Sequence, residues 1–91
     1  MRVIPGADSG VLMPGKRWQR RLLTLEEYCG WADRMYAQGA EGVYLFNLFQ
    51  HPTTGTVWKA VLTRGLTPEV VRDAPKSIPE NARRECAWAF R

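Results

Sequence analysis

The segment VYLFNLF at positions 43–49 constrains the fold more than any other part of this chain. It follows the turn-forming residues GAEG at 39–42 and sets one asparagine, Asn47, among six apolar residues. A strand that is apolar on both faces, rather than alternating, is typical of a central parallel strand covered on both sides. We therefore predict a doubly buried strand at 43–49. Its buried amide needs partners, so Asn47 either ties down a neighbouring loop or lines a site.

A helix is predicted directly before this strand, over residues 25–38. Thr24 and Glu27 have the spacing of a capping box, and Gly39 stands where a glycine commonly ends a helix. Gly30 inside the helix costs about 1 kcal/mol relative to alanine, which indicates close packing there. Apolar residues recur at helical spacing and predict one packed stripe: Leu25, Tyr28, Cys29, Ala32, Met35 and Tyr36.

The remaining segments predict one more strand and further helices. Residues 2–4 form a short extended segment that breaks at Pro5-Gly6, and we interpret residues 11–21 as a loop. Helices are predicted over 57–64 and 79–89, with a short turn or helix starting at Thr67; residues 81–90 are also compatible with a strand. A strand, a helix and a second strand in this order predict a right-handed βαβ unit.

The length and composition of the chain indicate a small domain and little more. Its 91 residues make one domain or a piece of a larger one. The two cysteines, Cys29 and Cys86, lack metal-binding spacing, and Cys29 falls on the apolar helix face, so we expect a buried free thiol. A disulfide between the two is the alternative. No metal site or cofactor is predicted. We find neither a signal-peptide pattern at the start nor an apolar run long enough for a membrane span.

The net charge of +4 raises the question of a nucleic-acid partner. Arginines cluster in KRWQRR at 16–21 and NARRE at 81–85, and a basic patch with an interleaved aromatic can bind nucleic acid. A charge this small is also what a solvated loop and a helix face produce. We therefore favour the solvated interpretation over a nucleic-acid site.

The run LTLEEYCGWADRMYAQGAEGVYLFNLF resembles the closing part of TIM-barrel proteins of the glycoside-hydrolase-like kind. In those proteins a helix with a W…A…Y/W…GA ending leads into G(I/V)YLFN as the last barrel strand. The resemblance implies an α/β fold, a partial (β/α)8 barrel with parallel strands 2–4 and 43–49 and helices 25–38, 57–64 and 79–89. Residues 1–64 would be barrel-like and 65–91 a helical extension. A complete barrel takes roughly 250 residues, so the chain would be a fragment.

The barrel interpretation also predicts where ligands bind. Active sites of this fold lie at the carboxyl ends of the strands and in the loops that follow them. The residues placed there, or in the first long loop, are Asp8 with Ser9, Arg17, Trp18, Asn47, Gln50 and His51. The resemblance implies that Arg17 hydrogen-bonds a sugar and that Trp18 stacks on it. Simpler interpretations are a turn for Asp8, a surface position for His51 and a barrel cap for Trp18.

The resemblance implies a carbohydrate as the partner and a contribution to a substrate-binding face. Glycosidases need two carboxyl groups across the scissile bond, and Asp8 is the single carboxylate in the right zone. We therefore expect the isolated chain to be catalytically incomplete. One alternative is a small basic α/β module that binds nucleic acid or a protein. Another is a segment that self-associates through its open sheet edges.

Overall fold

The computed structural model describes residues 4–12, 20–45 and 47–78, in which short strands are interleaved with three helices. In chain order the elements are β1 (Gly6–Ala7), β2 (Gly10–Leu12), β3 (Arg20–Leu22), α1 (Leu25–Ala37), β4 (Tyr44–Leu45), a 3₁₀ turn (Leu48–Gln50), α2 (Thr56–Thr63) and α3 (Pro68–Asp73).

Two separate strand pairs organise these elements. β1 and β4 pair in parallel, with Gly6 opposite Tyr44 and Ala7 opposite Leu45. β2 and β3 pair antiparallel, with Gly10 opposite Leu22 at one end. Because parallel strands carry their carboxyl ends to the same edge, the residues after β1 and after β4 are brought next to each other.

The partial (β/α)8 barrel predicted from the sequence is wrong. Over the described residues the parallel sheet has two strands of two residues each, and no barrel is formed. The loop predicted over 11–21 is also wrong at its ends, because 10–12 and 20–22 form the antiparallel pair. The backbone hydrogen bonds of β2 and β3 join these two strands to each other, so neither strand extends the parallel sheet.

The first strand lies later than predicted. Ile4 is outside any strand and 56% exposed, residues 2 and 3 lie outside the described residues, and β1 occupies Gly6–Ala7 instead of 2–4. We interpreted Pro5-Gly6 as a break, but the backbone carbonyl of Pro5 accepts from the Tyr44 amide at 2.9 Å and begins the ladder. Proline lacks a donor but keeps its acceptor, so it is compatible with the start of an edge strand.

The doubly buried strand over 43–49 is wrong as well. The described strand is Tyr44–Leu45, and Asn47 has a left-handed backbone, with φ of 59°. Leu48–Gln50 then form a 3₁₀ turn. The Tyr44 side chain is 58% exposed and that of Phe49 is 74% exposed, so the apolar residues of this segment are not all covered. Asparagine tolerates the left-handed region better than most residues, and a strand cannot continue through a residue in this conformation.

Helix α1 confirms the helix predicted over residues 25–38. Both hydrogen bonds of the capping box between Thr24 and Glu27 are present, and Gly39 follows the helix with φ of 99°. Cys29 is a buried free thiol, as expected. The core of the described residues consists of Ala7, Leu23, Tyr28, Cys29, Trp31, Ala32, Met35, Val57, Leu66 and Val71. Leu66 and Val71 belong to this same core, together with residues of α1 and α2.

Gly30 is where the chain closes over α1. A β-carbon at Gly30 would collide with the backbone carbonyl of Ser77, and the Ser77 amide donates to the carbonyl of Glu26 at 3.0 Å. The close packing expected at this glycine is therefore confirmed, and its partner is the backbone beyond α3.

The later helices agree with the sequence where they are described. α2 spans Thr56–Thr63, one residue earlier than the predicted 57–64 at each end. α3 begins after Thr67, whose hydroxyl accepts from the Val70 amide. The predicted helix over 79–89 lies outside the described residues. None of the described helices combines the length and apolarity needed to cross a bilayer.

Candidate functional site

A small polar cleft lies where the residues following the two parallel strands meet. Asp8 and Ser9 follow β1, and Asn47 and Gln50 follow β4, so the parallel pairing brings residues about 40 positions apart together. The cleft has a volume of about 230 Å³. It is lined by Asp8, Ser9, Gly10, Arg21, Leu22, Asn47 and Gln50. Ligands of open α/β sheets bind at this carboxyl edge.

Asp8 organises one side of the cleft. Its Oδ1 accepts from the Ser9 backbone amide at 2.7 Å and from Nδ2 of Asn47 at 3.0 Å. The left-handed backbone of Asn47 turns its side chain back toward the loop after β1. The two interpretations offered for Asn47 therefore both apply, because its amide ties down a loop and also lines the cleft.

A second contact joins the same two segments. The Ser9 hydroxyl donates to Oε1 of Gln50 at 2.5 Å. Ser9 is 1% exposed, and its carbonyl accepts from the Leu23 amide at 2.7 Å, so its backbone is fixed from the core side. The polar groups of the cleft are thus held by their own hydrogen bonds, which is the condition for a preorganised site.

His51, which directly follows Gln50 of the cleft, is buried and not on the surface. It is 5% exposed, and its Nε2 is 2.8 Å from the Tyr28 hydroxyl. Burial lowers the pKa of His51, and a hydrogen bond to the Ser9 backbone partly opposes that effect. Burial, followed by the negative charge of Asp8, raises the pKa of Tyr28 to about 12. The surface interpretation of His51 is therefore wrong.

Arg21 lines the cleft from the antiparallel pair. Its guanidinium makes two parallel hydrogen bonds of 2.7 Å each to the carboxylate of Glu27, the residue that also caps α1. The hydrogen bond from Arg21 is the largest effect on Glu27, and it lowers the pKa of that carboxyl group. Burial acts in the opposite direction and is the smaller effect. The pairing leaves the arginine charge largely neutralised at the cleft wall.

Four of the six residues predicted from the sequence are brought to this region. Asp8, Asn47 and Gln50 line the cleft, and His51 follows Gln50 and contacts Tyr28 in the core. Arg17 and Trp18 lie outside the described residues. Sequence reasoning missed Arg21 and the polar role of Tyr28, which we had interpreted as packing only. The sequence signal for Arg21 was the capping glutamate, because a buried carboxylate needs a cation or further donors.

A larger groove of about 500 Å³ is mainly apolar and has less chemistry to offer. Its lining includes Val43, Leu45, Leu48, Val61 and Leu66. Tyr36 contributes a hydroxyl, but that group donates to the Leu66 carbonyl at 2.6 Å. Size alone would favour this groove, whereas convergent polar side chains favour the cleft.

The described residues contain no group of three or more His, Cys, Asp or Glu side chains placed to hold a metal ion. Comparison with known proteins finds no matching family model, no matching curated protein and no matching solved structure. The geometry of the cleft is therefore the basis for assigning a function.

Proposed function

We propose that this chain is a binding module whose cleft takes one ring of a neutral, hydroxyl-rich ligand, such as a monosaccharide. The observation that carries the proposal is the convergence of a carboxylate, a hydroxyl and two carboxamides from two distant segments. A carboxylate accepts hydrogen bonds from sugar hydroxyls, and carboxamides both accept from them and donate to them. Their mutual hydrogen bonds fix their positions before a ligand arrives, which reduces the entropy cost of binding.

The volume of the cleft supports a ligand of one ring. Pockets for drug-sized molecules measure roughly 300–1,000 Å³, and this cleft is smaller at about 230 Å³. A longer oligosaccharide would have to extend beyond the residues that line it.

The charge of the cleft supports a neutral ligand over a phosphate. Arg21 is engaged by Glu27 through two hydrogen bonds, and Asp8 brings a negative charge. A phosphate or a nucleic-acid backbone needs a surplus of positive charge, which these three side chains do not provide.

The test is a titration of the 91-residue, ¹⁵N-labelled chain with neutral monosaccharides, inorganic phosphate and single-stranded DNA. We expect saturable amide shifts with at least one sugar, concentrated at Ser9, Gly10, Asn47 and Gln50. Saturable shifts with phosphate or DNA alone would overturn the proposal. So would the absence of sugar shifts at the highest soluble concentration, or sugar shifts confined to the apolar groove.

A further inference from the structure

His51 connects the cleft to the core of the protein. Its Nε2 faces the Tyr28 hydroxyl at 2.8 Å, and the Ser9 backbone is near enough to its ring to act on its pKa. It directly follows Gln50, whose side chain accepts from Ser9. One buried ring therefore contacts the segment on one side of the cleft and belongs to the segment on the other.

Polar and titratable groups face the ring from several elements. α1 presents Tyr28, together with Glu26, which lines a shallow groove with His51. The loop after β1 presents Asp8, whose charge reaches Tyr28.

α2 presents Thr56, Val57 and Trp58, whose indole N–H donates to the His51 carbonyl at 2.9 Å; none of the three is titratable. On β3, the charge of Arg21 is paired with Glu27. Although two carboxylates lie nearby, burial is the larger effect and lowers the pKa of His51.

The hydrogen bonds of a neutral ring match this environment and those of a charged ring do not. A neutral imidazole donates from one nitrogen toward the Ser9 backbone and accepts at Nε2 from Tyr28. A protonated ring has two donors and no acceptor, so the Tyr28 hydroxyl must turn its proton away. A charge held at 5% exposure also loses its hydration, and the ring gains free energy by moving toward water.

We propose that His51 is a positioning residue, which seats Ser9 and Gln50 for ligand binding only while its ring is neutral, so that acid pH weakens binding. This inference rests on the proposed function, because the affected site is the same cleft. The ligand-bound state selects the neutral ring, and binding at acid pH therefore expels a proton from His51.

The first experiment follows the ligand-free protein. His51 is the only histidine in the chain, so its ring C–H signals can be followed against pH between 5 and 8 without ambiguity. We expect its midpoint below the ordinary value of about 6.5. The Ser9 amide and the Gln50 side-chain amide should shift with the same midpoint. Titration near 6.5, or Ser9 and Gln50 signals that ignore the His51 midpoint, would overturn the inference whether or not any sugar binds.

The second experiment measures affinity for the monosaccharide that gives the largest shifts. One pH unit below the His51 midpoint about one tenth of the protein is neutral, so binding should be about tenfold weaker than well above it. Equal affinity on both sides of the midpoint would contradict the inference. If Ser9 and Gln50 follow His51 but no sugar binds at any pH, the proposed function fails and the coupling stands.

His51→Gln provides a non-titrating comparison. Its amide can accept from Tyr28 and donate toward Ser9, so we expect binding that is flat between pH 5 and 8. A folded variant that keeps the acid weakening of the wild type would show that another group is responsible. If the variant does not fold, the titration of the wild-type ring decides the question by itself.

Discussion

Asn47 donates from Nδ2 to Oδ1 of Asp8 at 3.0 Å, and this contact closes a span of 39 residues. It joins the residues that follow β1 to those that follow β4, at the edge where both parallel strands end. The same asparagine holds a left-handed backbone with φ of 59°. One residue therefore begins the 3₁₀ turn and holds the carboxylate of the cleft.

The two roles of Asn47 can be separated by substitution. Asn47→Gly keeps the left-handed backbone and loses the amide, so we expect a loss of about 1 kcal/mol in unfolding free energy. Asn47→Ala loses the amide and also adds the cost of a left-handed backbone, roughly 1–2 kcal/mol, for a total of about 2–3 kcal/mol. Urea denaturation measures both values. Equal losses in the two variants would contradict the backbone role.

Tyr28→Phe tests the buried contact with His51. The substitution keeps the ring in the core but leaves Nε2 of a buried histidine without its partner. We expect a loss of about 1–3 kcal/mol in unfolding free energy at neutral pH. Tyr36→Phe is the matched control, because its hydroxyl bonds the Leu66 carbonyl away from His51. The titration midpoint of His51 should rise in Tyr28→Phe and stay unchanged in Tyr36→Phe. If it does not rise in Tyr28→Phe, the neutral ring does not depend on this hydroxyl.

Arg21 and Glu27 should respond unequally to removal of their partner. Glu27 is 5% exposed at its side chain and Arg21 is 31% exposed, so a stranded carboxylate is the worse outcome. We expect Arg21→Met to cost about 2 kcal/mol and Glu27→Gln less, since glutamine still caps α1 and the arginine can reach water. Denaturation at pH 7 gives both values, and a larger cost for Glu27→Gln would contradict this assignment.

The pH dependence of that pair has a defined sign. The pKa of Glu27 in the folded protein is lowered from 4.5, so the folded state binds its proton less readily than the unfolded state. The stabilisation is therefore present above pH 4.5 and is lost as the pH falls through the lowered value. The wild type and Arg21→Met should converge in stability as Glu27 is protonated. A constant difference between them over this acid range would exclude the ion pair as its source.

Gly30→Ala should destabilise the protein although alanine favours helices. Alanine gains about 1 kcal/mol in helix propensity, but its β-carbon would meet the Ser77 carbonyl, which is backbone and can move only with its segment. We expect a net loss of unfolding free energy and faster hydrogen exchange at the Ser77 amide, which donates to Glu26. A more stable variant with unchanged exchange at Ser77 would show that the segment does not rest on α1.

Local chemistry made part of this structure predictable. The capping box at Thr24 and Glu27 and the glycine at position 39 are read from short spacing, and they fixed α1. Whether a strand is buried depends on which other elements cover its two faces. The segment VYLFNLF carries no information about those elements. Its apolarity was consistent with a doubly covered strand, but Asn47 has a left-handed backbone and Tyr44 is exposed.

The part of the candidate site that depends on the direction of the two parallel strands could be predicted from the sequence. Placing Asp8 after the first parallel strand and Asn47 near the carboxyl end of the second predicts that they lie close together, even though the barrel is wrong. The contacts that depend on tertiary packing were not predictable. Neither Tyr28 with His51 nor Arg21 at the cleft wall follows from sequence spacing.

The affinity of the best monosaccharide for Asp8→Asn, compared with the wild type, tests the central claim most directly. Asparagine keeps an acceptor for the Ser9 amide and for Asn47, so the variant should retain the fold while losing the charge. A lost charged hydrogen bond of about 1.5–3 kcal/mol corresponds to at least a tenfold weaker affinity. Asp33→Asn, exposed on α1, should bind as the wild type does. Equal affinity of Asp8→Asn and Asp33→Asn would contradict the assignment of this cleft as the ligand site.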